Sequence, residues 1–585
     1  MKQLEHNGIR VSEIPSATGM KLVIRGETFT LDAVQEQMAM AFVAKRHLGY
    51  WEDSVFVRNF LKDFSKALKL HPVLKPGEVN LEILFKSAIS RREEEQQRKE
   101  SMTKEERKTL AAERKANREA LRERYGYATI DGERVEISNW TAEPSCIFMG
   151  RGKHPLRGHW KPGPQEKDIT LNLDPDAPTP AGKWARREWA PDGLWIARWY
   201  DQLSGKIKYV WVSETAPIKQ DREAEKLDLS LKLSQQITRV RQHIHAGMES
   251  PDPRRRQIAT ACYLIDVLSL RVGDEKDPDE ADTVGATTLR PEHVTIKEDG
   301  QVEFCFLGKD SVPWHKTVRL APAIVEELRH LIDNAQIPSL GNRANRRHPT
   351  RDKPQIFPNV RSHNVNDFLS EAMPGLTAKV FRTYHASLTV RTTLAKAKVK
   401  PENPKYLKNY HAKLANLQAA IVCNHTKQAP KGWNARLKRF RQRRHRADER
   451  IAKAQENLEK RQTRLKELLL KQKAAIEHAV EKGKGIPRGK NRPYASTIEA
   501  ARRSIETAKN RLAKAKLAKD KLKTQITITK QTHTWNLGTS LKSYIDPRIY
   551  RDWGRRVQYD WKQYYPTALQ RKYAWIDEES SSSPS

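Results

Sequence analysis

Six short stretches of this sequence hold side chains able to act on or grip a phosphodiester. They are Arg271 after an apolar run, Lys309-Asp310 after Gly308, Lys379 with Arg382, Asn424-His425 after Cys423, Ser543-Tyr544 before Ile-Asp-Pro, and Arg151 with His154 in a glycine-bracketed loop. Taken singly, each has an ordinary structural role. Arg271 would cap helix carbonyls, Lys309 would be solvated at a hairpin tip, His425 would be structural and Tyr544 a packed aromatic. Lys379 and Arg382 would share a helix face that meets phosphate nonspecifically. Together these residue types supply what cutting a DNA strand without metal or ATP requires. A nucleophile must attack phosphorus, cations must neutralise the phosphoryl oxygens, and an acid must protonate the departing sugar oxygen. Arginine suits the clamp, because its fork donates two parallel hydrogen bonds and stays charged. A lysine crowded by other cations suits the acid. A tyrosine nucleophile would exchange one phosphodiester for another of similar energy, so resealing needs no fuel.

The chain that must position these groups has 585 residues, enough for about four domains and a sizeable core. Its 108 Lys+Arg against 72 Asp+Glu leave a net charge of +36. So basic a protein implies a polyanionic partner, nucleic acid ahead of an anionic membrane surface. No apolar run approaches the ~20 residues of a membrane span, and the opening MKQLEHNGIR has no signal-peptide hydrophobic segment. Membrane-integral and secreted readings are therefore poor. Cys146, Cys262, Cys305 and Cys423 lie tens of residues apart, without zinc spacing, and fit a reducing compartment. No GxxxxGK[ST] pattern occurs, and the acidic loop Gly273–Asp282 lacks calcium-loop spacing and its central glycine. Neither metal nor cofactor is expected.

Residues 1–90 mix short apolar alternation, as in Lys21-Leu-Val-Ile, with helical stretches. Arg91 to Arg124 reads as a solvated helix with a boundary at Tyr125-Gly126-Tyr127. Residues 147–212 read as a small β-rich unit, with strands near Asp168–Leu173 and Gly193–Tyr200. Gln257–Arg271 is the best buried helix, and a hairpin is expected around Val294–Lys297 and Gln301–Leu307. Residues 434–526 carry 29 Lys+Arg and only 10 Asp+Glu. Heptads run through Ile451, Ala454, Leu458, Leu465, Leu468, Ala475 and Ala479, and again through Ile498, Ala501, Ile505, Ala508, Leu512, Ala515, Leu522 and Ile526. Arg461, Gln472 and Lys519 interrupt them. A Gly-Pro turn from Gly483 separates the runs, so the spacing predicts an antiparallel two-helix coiled coil. By itself that arm could be a solvated spacer or could lie near a DNA backbone. Beyond Lys530 the chain is aromatic-rich, and it closes on a Ser-rich tail.

In six ordered blocks the chain resembles the eukaryotic-type type IB DNA topoisomerases. The blocks are Met149–Pro155, Leu270–Lys276 with 281–285, Phe306–Ser311, Leu376–Tyr384, Cys423–His425 and Leu537–Arg548. The resemblance runs to Asp577 and implies a role for each residue. Tyr544 matches the nucleophile that becomes a 3′-phosphotyrosine. Arg271 and Arg382 match the two arginines on the non-bridging oxygens, His425 a further donor to them, and Lys309 the general acid for the 5′ oxygen. Lys379, Arg151, His154, Asp310, Ser543 and Asn424 fall at or beside DNA-contacting positions. Ser543 stands where asparagine is common in cellular members, and Met149 where arginine is common.

The resemblance implies a fold class of α+β, mainly helical: a bilobed DNA clamp whose β-containing cap joins a helical catalytic domain. The expected divisions are 1–215 cap, 216–428 catalytic core, 429–530 antiparallel coiled-coil linker, 531–577 C-terminal domain with the tyrosine, and 578–585 flexible tail. It implies a monomer that encircles double-stranded DNA, with no membrane. Supercoils of both signs would be relaxed by transient cleavage, rotation and religation, with the basic arm slowing rotation. The long lysine-rich tail of nuclear members does not precede this core, so the expected place is on chromosomal DNA in a nucleus, a nucleoid or a viral setting. Two other readings are carried. A tyrosine site-specific recombinase shares the Arg–Lys–Arg–His–Tyr chemistry but needs sequence-specific tetrameric synapsis. A noncatalytic basic scaffold binding DNA or RNA would lose nothing on Tyr544→Phe.

Overall fold

Phe56, Phe60 and Phe64 recur every four residues, so one face of helix Ser54–Ala67 is a row of rings. Phe42 of helix Ala33–Val43 stacks on Phe60 at 4.0 Å. The hairpin Lys21–Ile24/Glu27–Thr30 buries Leu22 and Ile24 in the same core. This computed structural model describes residues 1–274, 282–337, 353–483, 489 and 492–578. The chain divides into two compact units: Met1–Phe381 joined by the stretch from Gln570, and Arg382–Leu569. The fold is mainly helical α+β, with several small sheets. Among the described residues no helix is long and apolar enough to cross a membrane.

The first unit holds a second core between two sheets. One sheet is ordered Leu4–His6, Tyr127–Ile130, Glu133–Glu136. The other runs Ile207–Trp211, Trp195–Tyr200, Ile169–Asn172, Arg186–Glu188, the last pair parallel. Ile169, Leu171, Ile196 and Val212 fill the core with Leu4 and Ile9. The solvated helix expected over Arg91–Arg124 is instead parts of two, Glu82–Ser101 and Lys104–Tyr125. A capping box makes the break: Thr103 accepts from the Glu106 amide while the Glu106 carboxylate accepts from the Thr103 amide. The Thr-x-x-Glu signature was present, hidden in unbroken charge.

Three helices, Pro217–Met248, Pro253–Leu268 and Ser362–Ala372, pack against one another, and the same unit holds a three-stranded antiparallel sheet, Val294–Ile296, Gln301–Gly308 and Val312–Arg319. The third strand, interrupted in sequence by Pro313, was not anticipated. The apolar helix also stops earlier than its hydrophobicity suggests. Ser269 turns left-handed at φ 56°, so Arg271 lies past the helix rather than on it.

The second unit gathers helices Lys405–Val422, Leu537–Ser543 and Pro547–Val557, most of helix Ala378–Lys396, and a long arm. The arm is helix Trp433–Glu481 lying against Ala495–Thr532. The three polar interruptions of the heptads all reach across it. Lys519 pairs with Asp448 at 2.7 Å, Arg461 donates to the Ser504 carbonyl at 3.3 Å, and Gln472 donates to the Pro493 carbonyl at 2.7 Å. Partner numbers fall as these rise, so the helices are antiparallel. Ile498, Ile505, Ala508 and Leu522 are buried in the seam. A seam rich in alanine is thin, and these polar contacts select one register. The turn residues 484–488 and 490–491, the acidic-loop residues 275–281 and the tail 579–585 lie outside the described residues.

Candidate active site

Helix Lys405–Val422 ends in a way that aims a histidine. Asn424 takes the left-handed conformation at φ 52°. The His425 amide then bonds to the Ala420 carbonyl at 2.8 Å and the Asn424 amide to Ile421 at 3.0 Å. That is a Schellman motif, for which asparagine is the usual substitute for glycine. It turns the chain so that His425, only 7% exposed, points into the second unit. Arg382 is also buried, at 4% exposed, and donates to the carbonyl of Cys423, the residue that caps that helix, at 2.9 Å. The same Nη2 lies 3.3 Å from His425 Nε2.

Tyr544 completes the group. Its ring lies 5.0 Å beneath the Arg382 guanidinium and 5.1 Å from the His425 ring. Nearly the whole arm separates Tyr544 from His425 in sequence, yet the arm leaves and returns at one place. The Asn536 amide bonds to the His425 carbonyl at 2.7 Å, and the Lys427 amide to the Thr534 carbonyl at 2.8 Å. Trp433 and His533 stack across its foot at 4.4 Å. Helix Leu537–Ser543 starts from this junction and places Tyr544 at its end, with Ser543 half-buried before it.

Two serines that carry no sequence signal brace the group. Ser387 Oγ donates to the Tyr544 carbonyl at 3.3 Å and accepts from the Asp546 amide at 3.0 Å, pinning the tyrosine turn to helix Ala378–Lys396. Ser540 Oγ lies 2.7 Å from His425 Nδ1. A guanidinium only donates, so the contact with Arg382 requires a lone pair on Nε2 and puts the ring proton on Nδ1, towards Ser540. Serine at i−4 to tyrosine is too common a pattern to mark such a role.

The first unit arranges the remaining candidates around two crossing segments. Gly273 and Gly285 approach so closely that a Cβ on Gly285 would lie 2.5 Å from the Gly273 Cα. There the Ala286 amide bonds to the Arg271 carbonyl at 2.9 Å, and the Val284 amide to the Leu307 carbonyl at 2.8 Å. Backbone bonds thus tie the Arg271 segment to the strand that ends in Gly308 and Lys309. Asp310 follows Lys309 in a left-handed turn at φ 66° and forms an ion pair with Arg151. A Cβ on Gly152 would lie 2.6 Å from Ser311 Oγ, so the glycine lets the Arg151 loop rest on the lysine hairpin. His154 packs edge-on to Phe148 at 4.8 Å, and its Nδ1 accepts from the Leu156 amide at 3.2 Å.

Lys379 is exposed at the start of helix Ala378–Lys396. Near it stands Lys226, which sequence reasoning passed over. Burial pushes its proton affinity down; Glu223 opposes this, while Lys572 and Lys379 add to it. Lys572, from the C-terminal stretch, is held by Glu214 at 3.0 Å and Glu223 at 3.5 Å. No motif marks Lys226: Glu223 lies one turn away on its own helix, but Lys379 and Lys572 come from distant parts of the chain. Among the described residues no group of three or more His, Cys, Asp or Glu is placed to hold a metal ion.

Comparison with known proteins adds the family. Residues 1–212 match the model of the eukaryotic DNA topoisomerase I DNA-binding fragment, 215–458 that of its catalytic core, and 515–582 that of the C-terminal topoisomerase domain. DNA topoisomerase 1 beta of Arabidopsis thaliana is 30% identical over 98% of this chain and 58% of its own length. Human DNA topoisomerase 1 is 28% identical over 98% of this chain and 70% of its own length. The mitochondrial DNA topoisomerase I of Rattus norvegicus is 28% identical over 98% and 90%. The chain therefore spans somewhat over half the length of its Arabidopsis relative.

Proposed function

This chain belongs to the eukaryotic DNA topoisomerase I family, and we propose that it relaxes supercoiled DNA of either sign by a type IB mechanism. The observation that carries the reading is the buried group Arg382, His425 and Tyr544, with the tyrosine ring against the guanidinium. Tyr544 loses its phenolic proton to solvent as its oxygen attacks phosphorus, a new phosphorus–tyrosine bond forms, and the bond to the 5′ oxygen breaks. Lys309 gives that oxygen its proton. Arg382 and Arg271 donate to the non-bridging oxygens, where negative charge grows in the transition state, and His425 donates to them from Nε2 once that nitrogen is protonated as well as Nδ1. Torsional strain rotates the freed end. The 5′ hydroxyl then returns its proton to Lys309, attacks phosphorus and expels the tyrosine, which takes a proton back from solvent. Each cleavage stores the bond energy in the protein–DNA link, so neither ATP nor a metal is needed.

Lys379, Arg151, His154, Asp310, Ser543 and Asn424 contact or border the duplex in this reading. Phosphates position the protein without specifying sequence. Residues 1–215 act as cap, 216–428 as catalytic core, 429–530 as linker and 531–577 as the unit that supplies Tyr544. A monomer works on chromosomal duplex DNA. The test is plasmid relaxation in EDTA without ATP, wild type beside Tyr544→Phe. Relaxation by the wild type alone, with protein trapped on the 3′ side of the nick, supports the reading. Equal activity in Tyr544→Phe overturns it.

A further inference from the structure

At the foot of the arm, inside the second unit, lies a cavity of about 410 Å³ that the cleavage chemistry does not use. Helix Lys405–Val422 lines it with two adjacent stripes, Lys405, Asn409 and Lys413 beside Tyr406 and Tyr410. These are i, i+4 rows, so each stripe presents one kind of chemistry to the same space. The returning arm helix adds Lys521 and Gln525, and Tyr559 closes the far side.

Two features set this cavity apart from an ordinary surface groove. None of its lining residues is acidic. Lys405, Lys413 and Lys521 form no ion pair among the described residues, whereas Lys460 and Lys473 further along the arm pair with glutamates of their own helix. A fourth cation stands at the rim, where Arg443 donates to Gln525 at 3.5 Å. Three unpaired ammonium groups around one concavity repel one another and are relieved by a bound anion. The second feature is aromatic. Tyr406 and Tyr410 are half-buried, and Tyr559 is 4% exposed with its hydroxyl taking a hydrogen bond from Asn409 at 2.9 Å. Held rings flanked by cations suit a flat aromatic group that carries a phosphate. A carboxylate peptide would use the lysines and leave the rings idle. The volume falls in the range of small-ligand sites.

We propose that the cavity lined by Lys405, Lys413, Lys521, Tyr406 and Tyr410 binds a nucleoside 5′-phosphate, its base against the tyrosines and its phosphate on the lysines. The source is either a free mononucleotide or the phosphorylated end of an unpaired strand. This ligand would occupy the junction of the arm with the helix whose capping turn holds His425. The site is separate from the Tyr544 chemistry, and its failure would leave the relaxation proposal standing.

The test measures anisotropy of fluorescein-labelled AMP and of a 5′-phosphorylated, 3′-fluorescein pentathymidylate on the full chain. It compares wild type, the double variant Lys405→Glu/Lys413→Glu, and Tyr406→Ala. The expected result is roughly tenfold weaker AMP binding in each variant, with plasmid relaxation by both variants unchanged. Circular dichroism melts of both variants check the fold. Pentathymidylate binding at least tenfold tighter than AMP assigns the strand end; equal affinity assigns the free nucleotide. AMP affinity unchanged in both variants overturns the proposal. So does displacement of AMP by hexaglutamate with no effect of Tyr406→Ala, which would make the cavity an acidic-peptide site.

Discussion

Ser540→Ala should slow DNA cleavage without touching any group that meets the substrate. Ser540 is fully buried, and its Oγ lies 2.7 Å from His425 Nδ1. Removing the hydroxyl leaves the Nδ1 proton in a closed pocket without its acceptor, which costs about 1–3 kcal/mol. The ring can recover by moving the proton to Nε2 or by rotating, and either change disturbs the contact with Arg382 at 3.3 Å. If the loss falls on the transition state, cleavage slows about 5- to 150-fold. The backbone carbonyl of Ser540, which accepts from the Tyr544 and Ile545 amides, is unaffected. The assay is single-turnover cleavage of a nicked oligonucleotide duplex that cannot religate, read with a thermal melt of the same protein. Because Ser540 is argued to act through His425, its effect should nearly vanish in a His425→Gln background. Full additivity of the two substitutions, or a cleavage rate within twofold of wild type for Ser540→Ala, would refute the reasoning.

Three other outcomes follow from the same structure. Ser387→Ala should weaken the turn holding Tyr544, because it removes the bonds to the Tyr544 carbonyl and Asp546 amide. A buried loss of this kind is worth about 1–3 kcal/mol and should slow cleavage and religation together, the first measured on the nicked duplex and the second by adding a 5′-hydroxyl strand to the cleaved complex. Acid should destabilise the first unit before its carboxylates titrate. His6 and His293, each with pKa lowered from 6.5 to about 4 chiefly by burial, prefer to be neutral when folded. The neutral His6 ring donates to the Asn172 carbonyl and accepts from the Gly8 amide, so an added proton has no partner. A lowered histidine pKa means the unfolded chain protonates first; stability is complete above pH 6.5 and drains as pH falls towards 4. Each histidine should account for up to about 3 kcal/mol over that window, seen in urea midpoints that His6→Gln or His293→Gln flatten. Finally, Asp448→Lys places like charges across the arm beside Lys519 and should raise hydrogen exchange along the mid-arm helices, while the tip near Gln472 and Pro493 keeps its protection. Uniform exchange in wild type and variant would show that this contact does not hold the register.

Much of the fold was legible because periodicity survives without tertiary context. The apolar run before Leu268, the hairpin strands and the heptads of the arm each carry their own pattern. The interruptions of that pattern were informative only afterwards: Arg461, Gln472 and Lys519 look like defects until their partners on the opposite helix are known. Sequence also misplaced two ends. Charge ran unbroken through Thr103, and hydrophobicity ran on past the left-handed Ser269. In both cases a local hydrogen bond or a backbone dihedral decided what composition had averaged away.

The types of residue needed for phosphoryl transfer, the excess of cations, the heptad arm and the Tyr544 motif belong to the linear chain, because each is a matter of identity and spacing. Proximity does not. That His425, Arg382 and Tyr544 adjoin rests on an arm that departs and returns through hydrogen bonds at one junction. That Ser387, Ser540 and Lys226 matter rests on who surrounds them. Serine and lysine are abundant and chemically ordinary; burial beside a specific neighbour is what gives them consequence, and burial is a property of the folded packing.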